Sequence, residues 1–183
     1  MTITFVRHTA VDVVRGVCYG RSDVGLASTF PEEAERVRQN IGGRHFSHVF
    51  TSPLSRCVRL AQYCGFGDAI RDGRLMEMNF GEWEMRRYDE IDDPRLQQWY
   101  DDYLHVVPPG GESFEQQGLR VRDFLESLPD DGDVLVFTHA GVIIHALLLS
   151  GKATLSNAFS LQPPYGGIVC LRRCQWISGR KEG

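Results

Sequence analysis

Lysine is nearly missing from this chain: Lys152 and Lys181 stand against eighteen arginines. The net charge is nevertheless -4, so no basic field covers the molecule, which argues against nucleic acid as its main partner. A small anion in a local cationic pocket stays open, and the planar fork of arginine suits phosphate better than lysine does. Long apolar runs are missing too. The longest, Val142 to Leu149, is interrupted by His145 and falls far short of a membrane span, so no membrane role is expected. The five cysteines, Cys18, Cys57, Cys64, Cys170 and Cys174, form no C-x-x-C pair and read as buried fillers. No basic n-region leads into an apolar h-region, so reduced thiols and a cytoplasmic setting are expected. Neither a Walker loop nor a dinucleotide G-x-G-x-x-G occurs, which disfavours nucleoside-triphosphate and nicotinamide chemistry.

What is present suits one globular domain over residues 1–183, with 42% hydrophobic and 24% charged residues. A chain of this length buries about 70% of the surface that its unfolded form exposes. Its first stretch, TITFVRHT from Thr2 to Thr9, has strand composition but ends on Arg7 and His8, which have no place on a buried ladder. A long glycine-bearing loop follows from His8 to Thr29, and loops of that length in compact domains are usually functional.

Pro31 to Ile41 predicts a helix, with Glu32 and Glu33 in its first turn, a stripe of Ala34, Val37 and Ile41, and Gly42-Gly43 as the stop. Phe46 to Thr51 reads as a strand. Ser52 and Pro53 are expected to cap and open the next helix, which runs to about Cys64 and faces the core with Leu54, Val58 and Ala61. Residues 71–84 are irregular. An acidic, aromatic helical insert is expected at about residues 84–112, broken at Pro94 and closed by Pro108-Pro109-Gly110-Gly111. Ser113 and Gln116 make a capping box for a helix with the face Val121, Phe124, Leu125 and Leu128. Asp133 to Thr138 is a buried-strand pattern ending on His139, and Gly141 opens the most apolar helix, closing at Gly151. A last strand pair is expected at Ala158 to Gln162 and Ile168 to Arg172. Strands alternating with helices imply an α/β fold, a mainly parallel sheet covered on both faces.

If the strands ending in Arg7-His8, Ser52 and Thr138-His139 are parallel neighbours, right-handed crossovers bring their ends to one sheet edge. Arg7, Arg56, His8 and His139 then converge, a pocket suited to a tetrahedral phosphate. Nearby cations disfavour imidazolium and hold His8 neutral, so it can attack phosphorus. A leaving alkoxide also needs a proton. Glu77 is a candidate donor because Leu75, Met76, Met78 and Phe80 would desolvate it, but Glu82, Glu84 and Glu112 compete with it.

VRHT, TSPLSRC, LMEMNFGEWE and FTHAG, in this order, together resemble the histidine phosphatase superfamily, the phosphoglycerate mutase-like proteins, from Ile3 to about Val142. Within it, GEWEMRRYDEI followed by PPGGESF looks most like the alpha-ribazole phosphatases of cobalamin biosynthesis. The resemblance implies a three-layer α/β/α sandwich and no metal or other cofactor. It implies His8 as the phosphohistidine, through the nitrogen remote from the backbone, with Arg7, Arg56 and His139 as phosphate ligands and Glu77 as proton donor and acceptor. Tyr19, Gly20 and Ser22 fall where family members contact phosphate or substrate. The partner implied is a small-molecule phosphomonoester.

There are departures. Thr9 replaces the family's usual glycine, and Ala10, Val11 and Val14 replace its Glu-Thr and Asn, so Ser22 or Thr9 is expected to supply the missing contact. His145 is expected in the core, and His45 with His48 makes a poor metal pair. Of the aromatic residues Trp83, Trp99, Tyr100 and Tyr103, some are expected to pack the insert's helices onto the body, and one or two are candidates to stack on a planar substrate base.

Overall fold

In a computed structural model, residues 1–172 are described. The chain runs β1 (Thr2–Arg7), α1 (Phe30–Ile41), β2 (His48–Thr51), α2 (Ser55–Tyr63), β3 (Ile70–Arg71), α3 (Pro94–Asp101), α4 (Phe114–Glu126), β4 (Val134–Thr138), α5 (Ala140–Leu149) and β5 (Ile168–Arg172). The sheet order is β3-β2-β4-β1-β5. β1, β2, β3 and β4 run parallel to one another, and β5 alone is antiparallel, pairing with β1.

Side chains alternate across the sheet, as a pleated strand requires. Ile3, Phe5, Val134 and Val136 face α4 and α5, where Val121, Phe124, Val142 and Ile143 complete one buried layer. Val6, Leu135 and Phe137 face the opposite way, onto Ala34 and Val37 of α1 and Cys57, Leu60 and Ala61 of α2. The result is the three-layer α/β/α sandwich that the resemblance implies. A third, smaller cluster of Cys18, Trp83, Ile91 and Leu96 packs the loop after β1 against the acidic segment.

Several local expectations hold. The capping box is complete: Gln116 N donates to Ser113 Oγ at 3.1 Å and Ser113 N donates to the Gln116 side chain at 2.9 Å. The stripe Ala34, Val37 and Ile41 is buried, as is His145, whose ring lies 3.9 Å from that of Phe114.

Others are corrected. Ser52 and Pro53 do not cap α2. The chain bends at Pro53 and Leu54, Leu54 is itself extended as the N-cap residue, and the helix starts at Ser55. Its buried face is Arg56, Cys57, Leu60 and Ala61, with Leu54 as N-cap, whereas Val58 is only half-buried. Pro94 opens α3 rather than breaking a helix, with Asp93 accepting from Arg95 N as the cap. Ala158–Leu161 is a short 3-10 helix, not a strand, because its only buried residue is Ala158 and it packs on α5. The two-residue β3 escapes the sequence pattern, being too short to show a period. Cys18 and Cys57 are buried as expected, but Cys170 is exposed on β5, and Cys174 lies outside the described residues. Among the described residues no helix is long and apolar enough to cross a membrane.

Candidate active site

The C-terminal ends of β1, β4 and β2 lie side by side. Beyond the regular ladder, His8 N donates to Thr138 O and Ser52 N donates to Phe137 O, each at 2.9 Å. Pairing therefore continues one residue past each apolar run, and what protrudes at that edge is Arg7-His8, Ser52 and His139. Open α/β sheets bind ligands at this edge.

His8 is 3% exposed, and its Nδ1 lies 2.7 Å from the Thr9 carbonyl oxygen. A carbonyl can only accept, so Nδ1 carries the proton and Nε2 keeps its lone pair. Burial, then the Arg56 charge and, more weakly, Arg7 lower the His8 pKa to about 3, against the opposing Thr9 bond. His8 is thus neutral, with its remote nitrogen free.

His139, the N-cap residue of α5, is fully buried 5.1 Å from the His8 ring. Ser52 Oγ lies 2.8 Å from its Nε2 and accepts from Leu54 N at 3.4 Å. The Nδ1 of His139 is buried with no protein partner. Burial first, then Arg56 and His8, push this imidazole well below its ordinary pKa as well.

The two guanidiniums are held by backbone oxygens. Arg56, fully buried on the first turn of α2, donates to Gly20 O at 2.7 Å and Ser22 O at 2.9 Å. Arg7 donates to Pro163 O at 2.7 Å. Both Nε atoms are buried without a protein partner, so each arginine retains donors for an anion. Gly20 has to be glycine, since a Cβ there would overlap the Met78 carbonyl and the Phe80 ring.

Glu77 reaches the same edge from the segment after β3. Its Oε1 accepts from Met78 N and Gln117 Nε2, both at 3.0 Å, and its Oε2 accepts from Gly141 N at 3.2 Å, in the first turn of α5. Gly141 admits this approach because any Cβ would collide with Glu77 and Gln117. Arg120 staples the segment from below, donating to the carbonyls of Arg74, Met76 and Glu77 and forming a 2.6 Å ion pair with Glu112. Thr138 Oγ1 adds a bond to Leu75 O at 2.8 Å.

The competing carboxylates are otherwise engaged. Glu82 is exposed. Burial raises the Glu84 carboxyl, but hydrogen bonds from the Ser22 hydroxyl and from Arg21, Phe80 and Ser22 N–H groups outweigh it and leave it below the usual range. Glu112 is likewise held down by Arg120, against its burial.

Tyr19, Gly20 and Ser22 do sit against the pocket, but Gly20 and Ser22 meet Arg56 through their carbonyls. The Ser22 hydroxyl is bound to Glu84, so of the two expected replacements for the Asn only Thr9 retains a buried hydroxyl without a protein partner. Trp83 is 1% exposed and donates to Asp93 at 3.0 Å, so it packs the insert rather than stacking on a ligand. Tyr103 packs on Phe114 and Phe159. Sequence reasoning missed Ser52, Gln117, Arg120 and Tyr165. Ser52 lies in the quoted TSPLSRC motif but reads there as a helix cap; the other three carry no local signal.

The profile of the histidine phosphatase superfamily, branch 1, matches residues 3–176. The chain belongs to this superfamily. As a phosphatase-family enzyme it is 32% identical over 161 residues to a Serratia proteamaculans protein named probable phosphoglycerate mutase GpmB, covering 81% of this chain and 73% of that one. It is 27% identical over 168 residues to the adenosylcobalamin/alpha-ribazole phosphatase of Salmonella typhimurium, covering 86% and 82% of the two chains. The crystal structure of the alpha-ribazole phosphatase from Shigella flexneri superposes with a TM-score of 0.85 at 22% identity, covering 94% of this chain and 90% of that one, a likeness of fold.

Proposed function

We propose that this superfamily member is a metal-independent phosphomonoesterase working through a phosphohistidine at His8, and that its alcohol product is alpha-ribazole. The observation carrying the reaction is the neutral His8, with Nδ1 tied to the Thr9 carbonyl, leaving Nε2 for phosphorus, in the field of the Arg56 and Arg7 charges. Nε2 attacks phosphorus in line, and the bond to the ester oxygen breaks. Glu77, as the acid, gives its proton to that oxygen and the alcohol departs. Water then attacks the phosphohistidine, Glu77 takes the water's proton, the N–P bond breaks, and inorganic phosphate leaves with His8 neutral again. Arg7, Arg56 and His139, through its unpartnered Nδ1, hold the phosphoryl oxygens throughout, as does the positive end of α5, so charge on the transferring group meets preorganised groups.

The choice of alcohol rests on relatives named alpha-ribazole phosphatase and on the GEWEMRRYDEI and PPGGESF runs. Relatives named phosphoglycerate mutase support a second reading, transfer of the phosphoryl group between hydroxyls. A panel of phosphomonoesters including alpha-ribazole 5'-phosphate and 3-phosphoglycerate separates the two. Net phosphate release fastest from alpha-ribazole 5'-phosphate, unaffected by EDTA and abolished in His8→Ala, is the expected outcome, with acid-labile, base-stable label on His8. Isomerised phosphoglycerate without phosphate release would establish the mutase, and tight phosphate binding without turnover would leave only a binding module.

A further inference from the structure

The Arg7 side chain is gripped by a turn that none of these steps uses. Pro163 O accepts from its guanidinium at 2.7 Å, and the Tyr165 ring lies against that guanidinium, 4.2 Å from its central carbon to the ring centroid. The same turn is stitched to the backbone of the site, with Arg7 N donating to Gly167 O at 2.9 Å and Gly166 N donating to His8 O at 3.0 Å. Tyr165 also lies 5.5 Å from the His8 ring, and its hydroxyl meets that of Tyr19 at 2.7 Å. The Tyr19 ring in turn sits 5.7 Å from the Arg56 guanidinium. Two hydrogen-bonded phenols therefore bridge the two cations. Tyr165 is 40% exposed, so filling the core is not what places it there.

We infer that Tyr165 is a positioning residue of the phosphate pocket: its ring fixes the plane of the Arg7 guanidinium, and its hydroxyl couples that cation to the Arg56 loop through Tyr19. The inference rests on the phosphate-site reading above. Its physical basis is that a single bond to Pro163 leaves the long Arg7 side chain free to swing about one donor. A second contact on the face of the guanidinium removes that freedom and aims the unpartnered Nε at an anion.

The test is binding of inorganic phosphate, read by the NMR shift of His8 and so independent of turnover. Tyr165→Leu is expected to raise the phosphate Kd about 3- to 30-fold, the range of a cation–π contact. In an Arg7→Ala background the same change should add less than about 2-fold, because Tyr165 acts through Arg7. Equal losses in both backgrounds, or no loss in either, would overturn the inference. Should Tyr165→Leu not fold, Tyr165→Phe and Tyr19→Phe serve. Each removes the shared hydroxyl bond and should weaken phosphate about 2- to 5-fold, with the double variant no worse than either; additive or absent losses would overturn it. Phosphate bound and Tyr165-dependent without turnover of any phosphomonoester would sink the phosphatase reading while leaving this one standing. No phosphate binding by the parent protein would sink both.

Discussion

His8 is neutral because burial and two cations act in the same direction, and the sequence shows only one of these causes. The cations Arg7 and Arg56 are legible from strand and helix ends, whereas the 3% exposure of His8 is a property of the folded chain. In the free protein His8 should titrate with a midpoint of about 3, against 6.5 for an ordinary imidazole. Arg56→Gln removes the second-largest cause of that depression. Its His8 midpoint should move upward in a ¹⁵N-detected pH titration; an unmoved or lower midpoint would show that the Arg56 charge does not reach the ring. Ser52 shows the opposite kind of legibility. It stands within a motif the sequence marks out, but its hydroxyl lies against His139 and α2 is capped by Leu54 instead.

At the level of elements, three parallel strand ends supply most of the site, while Glu77 arrives on irregular chain held by Arg120. A lysine cannot reproduce a guanidinium that donates to three carbonyls and a carboxylate at once. Arg120→Lys should therefore lower kcat on the order of 10-fold or more, with KM nearly unchanged, since Arg7, Arg56 and His139 lie on other elements and, in the proposed mechanism, a displaced Glu77 is felt mainly in the chemical step. Steady-state kinetics on p-nitrophenyl phosphate would check this; a rise in KM with kcat preserved would place Arg120 with the phosphate clamp instead. Helix α4, which carries both Arg120 and Gln117, begins at a complete capping box. Ser113→Ala should cost about 1 kcal/mol of stability, read by urea unfolding, through loss of the bond to Gln116 N.

For the molecule as a whole, three buried histidines govern its response to acid. The folded pKa is about 3 for His8 and His145, and that of His139 is lowered well below its ordinary value. Burial is the leading cause in each. Between the unfolded value near 6.5 and the folded value, the unfolded chain binds more protons than the native one, so acidification favours unfolding. Stability should fall as pH drops below about 6.5, by up to about 1.4 kcal/mol per pH unit for each histidine. Denaturant midpoints between pH 7 and 4 would measure it. In His145→Phe, which removes a buried imidazole stacked on Phe114, the slope should shallow; an unchanged slope would assign the acid sensitivity to the carboxylates.

The sequence by itself determined the layered α/β architecture, the parallel strands and the identities of Arg7, His8, Arg56 and His139. Each of these follows from local patterns: apolar runs of strand length, helix caps, and polar residues placed abruptly at strand ends. Only the tertiary structure decided what each carboxylate touches: Glu77 meets Gly141 at the head of α5, whereas Glu84 is bound by Ser22 and Glu112 by Arg120, contacts that local sequence does not distinguish. It also decided that Trp83 is core, that Ser22 is bound to Glu84, and that Tyr165 covers Arg7 from the far end of the chain, beside Pro163, which lies 156 residues from the Arg7 it holds. Local sequence reports backbone preference and periodicity. It does not report contacts made across the sheet edge by turns that are distant in the chain, and the finer parts of this pocket are built from those contacts.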